Sequence, residues 1–330
     1  MIFIALCFLL SLCSCGIEKI DAQTEYIFGT VCTVNLFEDG TEELYKEVFS
    51  RLNSIDNMFN VNEPDSEISK INLSKGKEDV QISKECYELL AFSKEMAVLT
   101  NNSFNPTLGS LTFLWKEATD LKKVPSIEKI NQAKKHCNPD SLVLLKQDSS
   151  EKDCMPDENS GEKYFARLTD SNTKIDLGAI VKGYATDEIV NILKNRNVKR
   201  AIIDLGGNIY VHGKKSQSEK WKVGIKNPIE KNSTPIKIIE AEDSSIVTSG
   251  DYERFFEVNG KKYHHIIDCK TGFPAESGLA SVSIIYSKSV YCDVLSTAYF
   301  VAGSDADFVE KMGLKNVQIE FIKSGGEVIK

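Results

Sequence analysis

Three short segments carry side chains whose types and spacing suit chemistry. Asp293-Val294-Leu295-Ser296-Thr297 sets a carboxylate and a hydroxyl four residues apart, on one face of a helix. Such an oxygen pair can ligate a cation and also decorates many ordinary helices. Tyr263-His264-His265-Ile266-Ile267-Asp268, followed by Thr271-Gly272-Phe273-Pro274, puts two of the four histidines at the end of a strand. Such a pair often divides into one packed and one solvated ring. The run 174–187, KIDLGAIVKGYATD, is the most informative. Ile175, Asp176 and Leu177 read as a short strand, Gly178 breaks it, and Val181, Ala185 and Ile189 recur at helical spacing. A strand, a glycine and a helix N-terminus form an anion site, because first-turn N–H groups are unpaired and the helix dipole favours negative charge. Lys182 falls in that first turn and adds a mobile positive charge. Gly183 costs helix stability, a cost accepted where something must approach closely. An ordinary strand–turn–helix with a surface lysine has the same pattern.

The elements that must position these groups are legible in outline. Residues 26–36 read as a strand, with Asp39-Gly40 as a turn. Leu44, Val48, Leu52 and Ile55 make an apolar stripe along a helix over 42–58. Ser66 reads as the cap of a further helix, and 83–99 is amphipathic. Residues 101–115 start as a turn and continue into an apolar helix, 125–137 reads as a helix, and 148–163 is a polar excursion. The second half is richer in strands, at 200–204, 208–212, 221–225, 236–241, 245–248, 255–258, 262–267 and 279–286. Asn259-Gly260 is the strongest hairpin signal, Gly206-Gly207 a turn, and 248–252 a turn of small residues that lets a ligand near the backbone. A helix over 289–301 is closed by Gly303, and the tail ends in a hairpin around Ser324-Gly325-Gly326.

Bulk properties narrow the class. The 330 residues suffice for one large domain or two ordinary ones, with a substantial core. A net charge of −8 argues against a nucleic-acid partner, which would call for a basic stripe. The apolar run 2–12 is too short to span a bilayer and has the character of a signal-peptide core. Leu12-Cys13-Ser14-Cys15-Gly16 after it resembles a bacterial lipobox, which implies cleavage before Cys15 and a lipid on its sulfur. Residues 1–15 are thus expected to be a lipoprotein signal, 16–25 a linker, and 26–330 the functional domain. Among the remaining cysteines, Cys137 and Cys154 flank the polar excursion and are the one pair that could staple it; free buried thiols are the default.

Taken together and in order, the segments resemble the ApbE family of FAD:protein FMN transferases. The matches are Phe28-Gly29-Thr30, Ser66-Glu67-Ile68, the runs 104–115, 175–187, 204–208, 248–252, 264–274 and 293–297. Asp-Leu-Gly-Ala-Ile-x-Lys-Gly is the strongest single signature. The resemblance implies a mixed α/β (α+β), T-fold-like architecture with FAD in a cleft between two lobes and Mg²⁺ on its pyrophosphate. The metal ligands it implies are the Ala179 carbonyl, the Asp293 carboxylate and the Thr297 hydroxyl, with Ser296 nearby. Asp176, Lys182, Ile267 and the turn Ser103, Phe104, Asn105 are expected to contact FAD. Phe28 stands where members often carry Met, and Asn62 where they commonly carry Tyr, so a stacking aromatic is absent at a position expected in the FAD pocket.

The implied reaction is attack of a threonine hydroxyl of an acceptor protein on the FMN-side phosphorus of FAD, with loss of AMP. The acceptor motif implied is Asp-x-x-Thr-Gly-Ser/Ala-x-Thr. Lys182 and the metal would neutralise phosphate charge, and His265, or Asp293, would take the hydroxyl proton. Two other readings remain at this point: a Mg²⁺-dependent FAD pyrophosphatase giving FMN and AMP, and a lipid-anchored flavin-binding protein without catalysis. The expected location is the bacterial cell envelope, anchored by lipid and facing the periplasm.

Overall fold

Strand patterning in the second half of the chain builds the central sheet. The computed structural model describes residues 20–147, 162–229 and 234–329. The signal segment with Cys15, and Cys154, whose pairing with Cys137 was only a candidate, lie outside the described residues. Eight antiparallel strands run in the order β1 (Gln23–Ile27), β2 (Thr30–Asn35), β6 (Ala201–Leu205), β7 (Asn208–His212), β10 (Ser244–Gly250), β13 (Leu279–Tyr286), β14 (Gln318–Lys323), β15 (Val328–Ile329). Side chains alternate between two buried faces. Tyr210, Val247, Val282, Ile284 and Phe321 point to the main core, whereas Val211, Ile246, Ile285 and Ile322 meet a second core. The hairpin β8 (Trp221–Ile225) and β9 (Lys237–Ala241) closes that second core with Trp221, Ile225 and Ile239. β13 is buried at seven of its eight positions, because the main core covers one of its faces and the second core the other.

Helices cover the main-core face. α6 (Val181–Asn195) and α7 (Ser289–Ala302) lie side by side, with α1 (Glu42–Phe59) against α6. Gly183 is what lets α6 and α7 meet at the backbone: a Cβ there would fall 2.4 Å from the Ser289 carbonyl oxygen. The close neighbour foreseen for Gly183 is therefore the first turn of α7. Lys288 gives α7 no side-chain cap. Asp187 of α6 supplies one from outside, accepting from Ser289 N at 2.9 Å and Val290 N at 3.1 Å. Ser66 caps α2 (Glu67–Ser74) and Ser83 caps α3 (Lys84–Leu99). Arg51 of α1 joins α3 and α6, reaching Glu85 at 2.7 Å and Glu188 at 2.5 Å.

Two smaller layers frame the site. β3 (Val80–Ile82), β4 (Leu142–Gln147) and β5 (Lys163–Leu168) form a sheet in the order β3-β5-β4 beside α2 and α3. On the other side, α4 (Gly109–Leu121), α5 (Ile127–Lys134) and the hairpin β11 (Phe255–Val258) and β12 (Lys261–His264) share a third core. Trp115 anchors it, stacked on Tyr263 at 5.7 Å with its indole N–H donating to the Gly272 carbonyl at 2.8 Å. The short α8 (Phe308–Lys311) follows α7. No helix among the described residues is long and apolar enough to cross a membrane.

Five local expectations change. Residues 26–36 are not one strand but a hairpin, turned at Phe28 and Gly29 with φ of 55° and 68°. The first strand begins at Gln23, inside the expected linker. Residues 175–177 form no strand; the segment makes one parallel bridge, Leu108 to Lys174, and Asp176 N donates to the Pro106 carbonyl at 2.9 Å. Thr248, Ser249 and Gly250 belong to β10, so the turn starts at Asp251. The strand expected over 262–267 ends at His264.

Candidate active site

The N-terminus of α6 opens onto a cleft with an inner and an outer hollow. Asp176, Gly178, Lys182, Glu253 and His265 line both. Asp176 shapes the approach to the helix, because its Oδ1 accepts from Gly178 N at 2.9 Å and its Oδ2 from the Thr112 hydroxyl at 2.6 Å. Lys182 follows in the first helical turn, half-buried. It has no ion-pair partner within 4.0 Å among the described residues, so its charge is available to a ligand.

The inner hollow gathers Ala179, Asp293 and Thr297 with the turn Ser103, Phe104, Asn105 and with Ile267. Asp293 is buried. Its Oδ2 accepts from Gly183 N at 2.5 Å and its Oδ1 from the Asn208 amide at 3.1 Å. Burial raises its pKa, against which act the nearby Lys182 charge and these two hydrogen bonds. Gly183 is the third residue of α6, so its N–H has no acceptor within the helix and Asp293 supplies one; Ala179 lies just before the helix, at the cleft wall. Asn105 turns its side chain inward, donating to the Cys137 carbonyl at 2.8 Å and accepting from Thr107, so it offers the cleft its backbone. Ser296 does not line either hollow. Its hydroxyl donates to the Asp293 carbonyl at 3.1 Å and accepts from Ser249 at 2.9 Å.

The two histidines take different roles. His264 is buried against the edge of Phe300, with Nε2 on the Ala275 carbonyl at 3.0 Å and Nδ1 accepting from Ile266 N at 3.3 Å. His265 faces the cleft, and its Nδ1 lies 3.2 Å from the Arg254 carbonyl. A carbonyl can only accept, so Nδ1 carries the proton and Nε2 keeps a free lone pair. The ring is exposed toward the cleft, yet desolvation by the surrounding walls lowers its pKa, and the Arg254 and Lys182 charges act the same way.

Phe28 and Asn62 line the outer hollow with Asp56, Trp115 and Lys116. Asn62 is committed at both ends: Nδ2 donates to Asn60 at 3.0 Å, and Oδ1 accepts from Lys116 at 2.6 Å. Sequence reasoning did not single out Asn208, Thr112, Glu253 or Arg254. Asn208 had one available signal, its place immediately after Gly206-Gly207; Thr112 and Arg254 meet partners remote in sequence, Asp176 and His265, and Glu253 enters only as a wall of both hollows.

An oxygen set of one carboxylate, one backbone carbonyl and one hydroxyl suits a hard cation such as Mg²⁺, which keeps room for water and phosphate oxygens. Ala179, Asp293 and Thr297 offer that set in one hollow. Among the described residues no group of three His, Cys, Asp or Glu side chains forms a metal cluster, so a softer transition-metal site is not offered by them.

A family model described as the ApbE family matches residues 28–318. The chain belongs to the ApbE family. An FAD:protein FMN transferase of Treponema pallidum (strain Nichols) is 33% identical over 315 residues, covering 91% of this chain and 84% of its relative. One from Klebsiella pneumoniae (strain 342) is 28% identical over 312 residues, covering 94% and 92%. Among solved structures, the ApbE protein of Thermotoga maritima matches with a TM-score of 0.78 at 29% identity, over 94% of this chain and 96% of that one. The apo flavinyl transferase ApbE of Pseudomonas stutzeri matches at 0.75 and 25% identity, over 94% and 93%. The mixed α/β architecture of this ApbE chain is therefore that of its structural neighbours.

Proposed function

We propose that this ApbE-family chain transfers FMN from FAD to a threonine hydroxyl of an acceptor protein and releases AMP. The observation that carries the reading is the convergence of Lys182, His265 and Asp293 on one cleft at the N-terminus of α6. The reading is also supported by the names of the relatives above. The pyrophosphate of FAD would lie over the Gly178–Lys182 turn, where N–H groups and the lysine favour negative charge. Ala179, Asp293 and Thr297 would hold Mg²⁺, which when bound neutralises charge on the phosphate oxygens. Asp176 keeps the turn in shape, and Lys182 offsets charge as AMP departs. His265 Nε2 takes the threonine proton while Oγ bonds to the FMN-side phosphorus and the bridging P–O bond breaks. The proton then passes to AMP or to water.

The acceptor is an extended segment with the motif Asp-x-x-Thr-Gly-Ser/Ala-x-Thr, modified at its last threonine. The chain acts in the bacterial cell envelope, held to a membrane by lipid on Cys15 and facing the periplasm; the apolar run 2–12 and the lipobox-like Leu12–Cys15 support this reading. The test is incubation with FAD, Mg²⁺ and an acceptor peptide, followed by mass spectrometry. An FMN adduct on the last threonine, matched by AMP, is expected. AMP without adduct would point to a pyrophosphatase, and bound FAD without AMP to a flavin carrier.

A further inference from the structure

We propose that Asn208 is the positioning residue for Asp293 and thereby sets the affinity of the chain for a divalent cation. The proposal rests on the reading of Asp293 as the carboxylate ligand of that cation. Asn208 is 1% exposed and opens β7 directly after the Gly206-Gly207 turn. Its amide has a defined orientation. Oδ1 accepts from the Ser289 hydroxyl at 2.9 Å and from the Thr186 hydroxyl at 3.2 Å. Nδ2 therefore faces α7 and donates to Asp293 Oδ1 at 3.1 Å. The flipped amide would set its oxygen against the carboxylate, two acceptors face to face.

Gly183 N holds the other carboxylate oxygen at 2.5 Å. Asp293 is thus gripped from two sides, by β7 through Asn208 and by α6 through Gly183. Each oxygen is used once by the chain, which leaves lone pairs for the hollow that Asp293, Asn208 and Thr297 line together. Ser289 joins the same frame, since its backbone N–H is held by Asp187 and its hydroxyl by Asn208. The carboxylate rotamer is fixed before any cation arrives. Supports of this kind, one bond removed from the metal, change affinity about 10–100-fold when removed.

The purified chain is titrated with Mn²⁺ in the presence of AMP, and free ion is counted by electron paramagnetic resonance. Asn208→Ala and Asn208→Leu are expected to weaken Mn²⁺ binding about tenfold or more. Thr186→Val removes a buried hydrogen bond from the same frame but leaves Asn208 on Asp293, and is expected to bind within about twofold of wild type. A merely structural role would lower the melting temperature of all three alike and leave affinity unmoved. Equal Mn²⁺ affinity in wild type and a folded Asn208 variant overturns the proposal and leaves the metal reading standing. A wild-type chain that takes up no Mn²⁺ overturns both. A second measurement needs no variant to fold: in the wild-type chain labelled with ¹⁵N-asparagine, the Asn208 side-chain amide resonance should move on addition of Mg²⁺ with AMP, and an unmoved resonance overturns the proposal.

Discussion

His265 is the residue whose chemistry pH can isolate. Only the neutral ring accepts a proton, and desolvation with the Arg254 and Lys182 charges holds its pKa below the ordinary 6.5. Transfer should therefore fall as pH drops through that lowered value, with the acid limb of kcat/KM below pH 6.5. His265→Gln should lose about 100-fold or more and lose the limb with it; an unchanged limb in that variant would move the base elsewhere. Asp293→Ala tests the oxygen site. It should lose about 100-fold or more at matched Mg²⁺, since even a support of a metal ligand is worth up to that much. Activity near wild type would place the cation at other residues. Asn62 concerns the choice between water and threonine. Its amide is taken by Asn60 and Lys116 and has no face to stack, whereas stacking on a base contributes about 1–3 kcal/mol. The chain is expected to release some AMP from FAD without peptide, and Asn62→Tyr to suppress that release while transfer continues. The count is AMP released with and without peptide; equal release from both proteins would free Asn62 of this role.

Elements explain which parts of the fold could be read in advance. The hairpin of β11 and β12 was legible because Asn259-Gly260 supplies two residues that tolerate positive φ, observed at 52° and 77°. The hairpin of β1 and β2 was not, because its first turn residue is Phe28 at φ 55°, a conformation that a bulky side chain rarely adopts. The sheet of β3, β4 and β5 escaped because its pairing joins residues 80–82 to 164–166, a contact that no local pattern encodes. The residues foreseen as one site, Lys182, His265 and Asp293 among them, do meet in one cleft; Asn208 was not singled out, because its place beside Asp293 depends on how β7 packs against α7. The α6–α7 contact is the clearest element-scale test. At Gly183 a methyl group would meet the Ser289 carbonyl oxygen at 2.4 Å. Gly183→Ala should gain helix propensity worth up to about 1 kcal/mol, yet overpacking costs about 1–3 kcal/mol. The net outcome is expected to be a less stable chain, with Asp293 displaced from its Gly183 N–H. Denaturant unfolding measures the first and Mn²⁺ affinity the second; a more stable variant would mean that the helices can part freely.

At the scale of the whole molecule, the cleft draws on nearly the entire described chain, from Phe28 to Thr297. The main core supplies the helices that carry Lys182 and Asp293, and the third core holds Trp115 and Tyr263 just before the histidines. A ligand lying along both hollows touches all of these layers at once. It should therefore stabilise the chain as one cooperative unit and not one layer alone. Binding to the native state at a hundredfold excess over Kd adds about 2.7 kcal/mol. For a chain of this size each kcal/mol moves the melting temperature by roughly 2 °C, so excess FAD with Mg²⁺ should raise Tm by about 5 °C in a single transition. Lys182→Ala removes the cation of the first turn of α6 and should lose most of that rise while the unliganded Tm stays near wild type, because Lys182 makes no ion pair within 4.0 Å among the described residues. Calorimetry distinguishes the outcomes. Two transitions, of which FAD moves only one, would show that the hollows belong to layers that unfold separately, and FAD would then bind to one of them without bridging the cleft.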